Sequence, residues 1–209
     1  GFLAIAITPS VRAVQLEMGS AHVWERTDIE RDFDRFTGNE AAFIAARDSF
    51  YMASVSESGW PYVQHRGGPP GFLKLLDERR LAFADYRGNR QYISAGNLRA
   101  NTRVALILMD YAKRTRLKIY ARAETLPAGS DPELEASLAM PGYRARAERI
   151  FVLTLEAFDW NCPQHITLRF SEAEIREGMR EVRERMTELE TQNARLRAEL
   201  AKLNPNGVR

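Results

Sequence analysis

The six residues Tyr86-Arg87-Gly88-Asn89-Arg90-Gln91 carry the combination in this chain best suited to chemistry: two arginines set around a glycine turn. That chemistry is anion binding. A strand that ends in a glycine turn and feeds the start of a helix leaves backbone N–H groups aimed at one spot. Guanidinium groups beside them make the spot fit a phosphate. The same six residues also read as a solvated basic hairpin, so the flanking elements carry the argument.

The flanks have the order that a phosphate turn requires. Residues 81–85 form an apolar run of buried-strand length, residues 92–98 read as a short helix, and residues 103–109 as a second buried strand. Upstream, residues 50–56 and 61–66 form a hairpin about Glu57-Ser58-Gly59-Trp60. Alternation in its returning strand puts Tyr62, Gln64 and Arg66 on one face and Val63 and His65 on the other. The Gly- and Pro-rich residues 67–71 are a shaped loop. Residues 72–76 pair with 81–85, and strands over 117–124 and 150–158 complete the pattern. Roughly six or seven antiparallel strands joined by short turns predict a small barrel. No GxGxxG or GxxxxGK[ST] pattern occurs, which disfavours a doubly wound dinucleotide fold and a P-loop.

Ahead of the strands the sequence predicts two packing helices. One is capped by Thr8 with Pro9 in its first turn, and the other is capped by Thr37 or Asn39. Thirty Lys and Arg against twenty-eight Asp and Glu give a net charge of +2, without the basic excess that a nucleic-acid partner favours. The single cysteine, Cys162, excludes an intrachain disulfide and a CxxC zinc site, and no metal site is expected. The apolar run over residues 1–7 lacks a basic flank, makes a poor signal peptide and is too short to span a bilayer, so a cytoplasmic protein without a membrane partner is expected.

Residues 61–124 resemble the pyridoxamine 5′-phosphate oxidase-like family of FMN-binding split barrels. The resemblance is carried by Gly88-Asn89-Arg90-Gln91 after a buried strand, by Asn101-x-Arg103-Val104-Ala105-Leu106, and by the strand from Arg116 to Glu124. It extends to the run from Phe158 to Ile166 and to Thr8-Pro9-Ser10-Val11-Arg12, both similar to an uncharacterised branch of that family. It implies a mainly β fold with helices, a split β-barrel that binds FMN. It also implies that Gln64, His65, Arg66 and Gly67 run along the flavin, that Ala84 and Asp85 meet its pyrimidine edge, and that Asn89, Arg90 and Gln91 grip the phosphate with Arg87 and Gly88 beside them. Arg116 matches a flavin-contacting glutamine, and Lys118 follows it on the same strand. Family members build the site across a dimer interface, where Trp160, Asn161, Gln164 and His165 are expected to line it. Two departures stand out. Gln91 replaces the usual lysine, with Arg87 close by to offset the lost charge, and the family's C-terminal Arg-x-His substrate element is not visible after Ile166.

His22 and His65 read as hydrogen-bonded structural histidines and Cys162 as a small buried residue, so no catalytic acid, base or nucleophile is assigned. Arg66, Arg116 and Lys118 are the cations available to stabilise charge on a reduced ring.

From Ser171 the composition shifts to Glu, Arg, Ala and Leu. A capping box at Ser171 and Glu174 opens a helix whose apolar residues alternate by four and three: Ile175, Met179, Val182, Met186, Leu189, then Leu196, Leu200 and Leu203, with Asn193 in the gap. This heptad seam predicts a parallel two-stranded coiled coil, ended by residues 204–207. The expected organisation is a helical segment over 1–49, the split barrel over 50–170 and the coiled-coil helix over 171–204. The expected function is that of an FMN-dependent oxidoreductase, a homodimer through barrel and coil acting on a small molecule, with NAD(P)H as a candidate donor. A non-catalytic flavin carrier or sensor, or a barrel holding haem or a deazaflavin, is the alternative.

Overall fold

The computed structural model describes residues 1–25, 34–160 and 164–203. Three short helices come first, α1 (Phe2–Ala6), α2 (Pro9–Glu17) and α3 (Ala21–Glu25). Thr8 caps α2 by accepting from the N–H of Val11, with Pro9 in the first turn, where a missing N–H costs nothing. Helix α4 (Gly38–Ala45) begins at Thr37, whose hydroxyl accepts from the N–H of Asn39; of the two candidate caps, Thr37 fills the role. Strands β1 (Ser49–Val55), β2 (Pro61–Gly67), β3 (Lys74–Leu75) and β4 (Arg80–Tyr86) precede α5 (Ile93–Ala100). Then come β5 (Arg103–Asp110), β6 (Thr115–Pro127), α6 (Pro132–Leu138) and β7 (Ala147–Trp160). Asp131 caps α6 by accepting from Leu134.

Among the described residues the strands form one seven-stranded sheet in the order β2-β1-β5-β6-β7-β4-β3. Every pair in it is antiparallel. The sheet does not close: β2 and β3 are its two edges, the split-barrel arrangement expected from the sequence. In β5, Val104, Leu106, Leu108 and Asp110 are buried, while Ala105, Ile107 and Met109 lie half-covered on the outer face. Five phenylalanines, Phe50, Phe72, Phe83, Phe151 and Phe158, fill the interior. Burying each contributes roughly 1.5–3 kcal/mol, and Phe83 also stacks on Phe151 at 4.9 Å between ring centres. The apolar start of the chain is helical, and its Phe2 stacks 4.5 Å from Tyr120 of β6.

The chain divides into two compact units, Gly1–Ile166 and Thr167–Arg209. In the second, Ser171 and Glu174 form the expected capping box at the head of α7 (Glu172–Gly178), and α8 (Arg180–Leu203) follows. Met179 is the C-cap of α7, directly after Gly178. A glycine costs a helix interior about 1 kcal/mol, which accounts for two helices where the sequence predicted one. No described helix is long and apolar enough to cross a membrane. The sequence readings at Asn161 and Cys162, and at 204–207, lie outside the described residues.

One buried carboxylate ties α4 to the end of β7. Glu40 accepts from the Thr37 amide at 2.9 Å, the Thr37 hydroxyl at 2.6 Å and the Trp160 indole at 2.8 Å. Burial pushes the carboxyl up, but the hydrogen bonds from Thr37 and Trp160 outweigh it and hold the group below the ordinary glutamate value. A lowered folded-state pKa contributes stability above the unfolded-state pKa, and that stability is lost as pH falls through the folded value. Glu40→Gln should therefore cost about 1–3 kcal/mol at neutral pH, with the gap to the unmodified protein closing in acid. Urea unfolding at several pH values checks this, and a gap that stays constant into acid would refute it.

Candidate functional site

The two ends of the open sheet meet through side chains. Arg66 points inward from the edge strand β2, opposite Phe50 of β1, and its guanidinium ion-pairs with Asp85 of β4, next to the far edge. The second Asp85 oxygen lies 3.2 Å from Arg149 Nε on β7. The Arg66 and Asp85 side chains are only 11% and 12% exposed. The Arg66 guanidinium carbon lies 4.9 Å from the centre of the Phe151 ring and 5.6 Å from that of Phe83, so aromatic faces supply part of its lost solvation. Burial lowers the Arg66 pKa and raises that of Asp85, in each case against the attraction of the partner. An ion pair with such a desolvation cost holds a geometry more than it adds stability, yet removing one member strands a buried charge.

The rim of the site grows from a break in the ladder. Asp85 pairs with Arg149 but Tyr86 with Ala147, so Glu148 is the extra residue of a bulge. Its carboxylate accepts from the Tyr92 hydroxyl at 3.0 Å and lies 3.6 Å from Arg87 Nε. In the turn between β4 and α5, Asn89 Oδ1 accepts from the Gln91 amide at 3.2 Å. Arg90 and Tyr92 stand at φ values of 64° and 55°, left-handed positions that non-glycine residues seldom take. Backbone strain of roughly 1–3 kcal/mol per residue is held where surrounding contacts over-determine it. Here the Arg149 guanidinium lies 4.5 Å from the centre of the Tyr92 ring, opposite the hydroxyl's bond to Glu148. Tyr92 is also the N-cap of α5. That helix is pinned to the barrel by Ser94, which donates to Gln64 at 2.9 Å, and by Asn97, which donates to Ser54 at 3.0 Å.

These elements enclose an open groove of about 230 Å³. Of the residues expected from the sequence it gathers Gln64, Arg66, Asp85, Gly88, Asn89 and Arg90. A Cβ at Gly88 would meet no atom of the chain within 4 Å, so packing within the chain does not account for the glycine there. The four arginines Arg66, Arg87, Arg90 and Arg149 outnumber the two carboxylates Asp85 and Glu148 at the groove and its rim. Arg90 is exposed, and its pKa is raised by its hydrogen bond with Tyr92.

The remaining expected residues are not part of the groove's lining in the single chain. Gln91 and Arg87 sit exposed on the turn, and Ala84 is buried in β4. His65 faces the outer side of the sheet, with its ring 5.5 Å from that of Tyr51, and Gly67 ends the same strand. Lys118 also faces outward, 2.7 Å from Asp159 and 4.7 Å from the Phe2 ring centre; Arg116 shares that face by alternation. Trp160 packs edge-on to Phe43 at 4.8 Å, away from the groove, and Gln164 and His165 are exposed. Sequence reasoning set Tyr86 in the turn without a site role, and it missed Tyr92, Ser94, Ala95, Glu148 and Arg149. Its one available signal for the last was an arginine directly before the apolar run of residues 150–158.

A family model described as pyridoxamine 5′-phosphate oxidase matches residues 36–159, a span that contains both walls of the groove. No curated protein sequence matches the chain. Similar solved structures include a candidate pyridoxamine 5′-phosphate oxidase from Lactobacillus delbrueckii (20% identity, 61% of this chain and 96% of that one covered, TM-score 0.47). HupZ from Group A Streptococcus is 13% identical, with 65% and 100% covered and a TM-score of 0.49. An FMN-binding protein from Syntrophomonas wolfei is 14% identical, with 78% and 98% covered and a TM-score of 0.42.

The seam makes a direct prediction. Asp85→Asn should lower stability by about 3 kcal/mol, because Arg66 and Arg149 are then buried facing each other. Replacing all three charges, Arg66→Met with Asp85→Leu and Arg149→Met, should recover most of that loss. Urea unfolding of both variants decides, and a loss below ~1 kcal/mol for the single change would mean that the pair does not hold the seam.

Proposed function

The chain belongs to the pyridoxamine 5′-phosphate oxidase family, and from that premise we propose that its groove holds the phosphate end of FMN in a flavin-dependent oxidoreductase. The carrying observation is charge. Four arginines against two carboxylates leave two positive charges in excess at the groove and its rim, matching the roughly −1.5 to −2 of a phosphate monoester at neutral pH. Arg90 and the first-turn amides of α5 would hold the phosphate. Gly88 leaves room for close approach on one side of the turn.

The groove's size favours a second copy. About 230 Å³ falls below the roughly 300–1,000 Å³ typical of a small-molecule site, enough for the phosphate and its tether but not for a whole flavin. The half-covered outer face that carries Tyr51, Val63, Ile107 and Tyr120 is the surface on which a second protomer would dock to supply the missing wall. His65, Arg116 and Lys118 lie on that side of the sheet, where a shared site would use them.

When bound, FMN supplies the electron-transfer chemistry. This chain's residues bind, orient and bias it. Arg66, fixed by Asp85, Phe83 and Phe151, presents a positive charge that cannot swing away, and so favours negative charge on the ligand without reorganisation. Gln64, positioned by the Ser94 hydroxyl, offers its amide to polar ring atoms. The substrate would be a small molecule, with NAD(P)H a candidate donor, and the single cysteine fits a cytoplasmic setting.

Fluorescence titration with FMN and riboflavin tests the phosphate assignment. FMN should bind more tightly, and Arg90→Ala should weaken FMN by roughly tenfold or more while leaving riboflavin unchanged. Equal affinity for the two ligands, or capture of haem or a deazaflavin in their place, would overturn the reading. Pyridoxamine 5′-phosphate should be a poor substrate, since no Arg-x-His element follows Ile166. Pyridoxal phosphate formation near the ~10 s⁻¹ typical of enzymes would contradict that.

A further inference from the structure

We propose that the apolar edge of the C-terminal helix docks against the same helix of a second copy of this chain, in a parallel, in-register, two-stranded coiled coil. The occupant follows from the pattern of the exposed edge. Along α8, Val182, Leu189, Leu196 and Leu203 occupy d positions, and Met186 and Leu200 occupy a, with Asn193 at the remaining a. In the single chain these apolar residues are 40% (Leu189) to 82% (Leu203) exposed. A helix packed on a globular core carries a wider apolar stripe than this strict a/d seam, which is the width one partner helix covers. Within its own helix the Asn193 amide donates to the Leu189 carbonyl, at 3.2 Å.

Orientation and register follow from polar groups. In a parallel pair each Asn193 meets the other copy's Asn193, and the two amides satisfy one another. In an antiparallel pair an a residue meets a d residue, and the amide would face an apolar side chain. Charges flanking the seam agree. Arg185 at g, paired with Glu188 of its own helix, would reach Glu190 at e of the other copy, and Arg197 at e would face Gln192, so no like charges meet. Arg195 and Glu199 also pair within the helix, at 2.9 Å.

The test uses the full chain with Cys162→Ser as background. Val182→Cys places a thiol at one end of the seam, and Thr191→Cys places one at an f position facing away. Under mild oxidation, Val182→Cys should give at least tenfold more cross-linked dimer than Thr191→Cys, and Leu196→Cys should behave as Val182→Cys does. Adding Leu189→Glu should abolish the cross-link while leaving FMN affinity unchanged, which separates failure here from failure of the flavin assignment. Cross-linking of Val182→Cys no greater than that of the Thr191→Cys control would overturn the proposal. So would efficient joining of Val182→Cys to Leu200→Cys chains without self-joining of either, the mark of an antiparallel pair.

Discussion

Closure of the barrel's split depends on Asp85 standing between two arginines. An open antiparallel sheet leaves two edges, and here its ends are drawn together by Arg66, Asp85 and Arg149, set on β2, β4 and β7. Taking these charges out of water is costly, as the raised carboxyl and lowered guanidinium pKa values register. What that cost secures is position. A hydrophobic trio would fill the same space, but it would not present a fixed positive group to the groove.

The groove's rim is a consequence of that anchoring. With Arg149 committed to Asp85, the bulge turns Glu148 toward Tyr92 and Arg87, and the aromatic ring of Tyr92 is held beneath the same arginine. Two left-handed non-glycine residues then become tolerable in one short turn. Such conformations would relax in a free loop, and here they start α5 at the place where its first amides meet the groove. Strand, bulge, turn and helix thus form one mechanical unit, and the site cannot be moved without moving the seam.

The sheet's two faces divide the labour. Its inner face carries the aromatic core and the groove, while its outer face leaves Tyr51 and Val63 40% and 60% exposed beside half-covered Ile107 and Tyr120. A groove smaller than a flavin and an apolar face that α1 covers only in part, through Phe2 on Tyr120, are two parts of one geometric problem, and under the proposed pairing a second protomer would solve both. Pairing of the barrels and of the C-terminal helices would then rest on different chemistry, broad surface burial in one and a narrow heptad seam in the other.

Local sequence determined the elements and their type. Alternation in residues 103–110, the caps at Thr8 and Ser171, the four-three spacing of the C-terminal helix and the Arg-Gly-Asn-Arg turn were all legible, because each depends on neighbours within a few residues. The seven-stranded fold and half of the groove, Gln64, Arg66, Asp85 and the turn through Arg90, were legible with them. What only the tertiary structure decided was which side chains meet. Trp160 reaches Glu40 across 120 residues of sequence, Arg149 finds Asp85 because β7 pairs with β4, and Glu148 enters the rim through a one-residue bulge. His65 and Arg66 are chain neighbours on opposite faces of one strand, and only the curl of the sheet makes Arg66's face the groove. Strand order, bulges and curvature arise from packing summed over the whole sheet, and no local period records them.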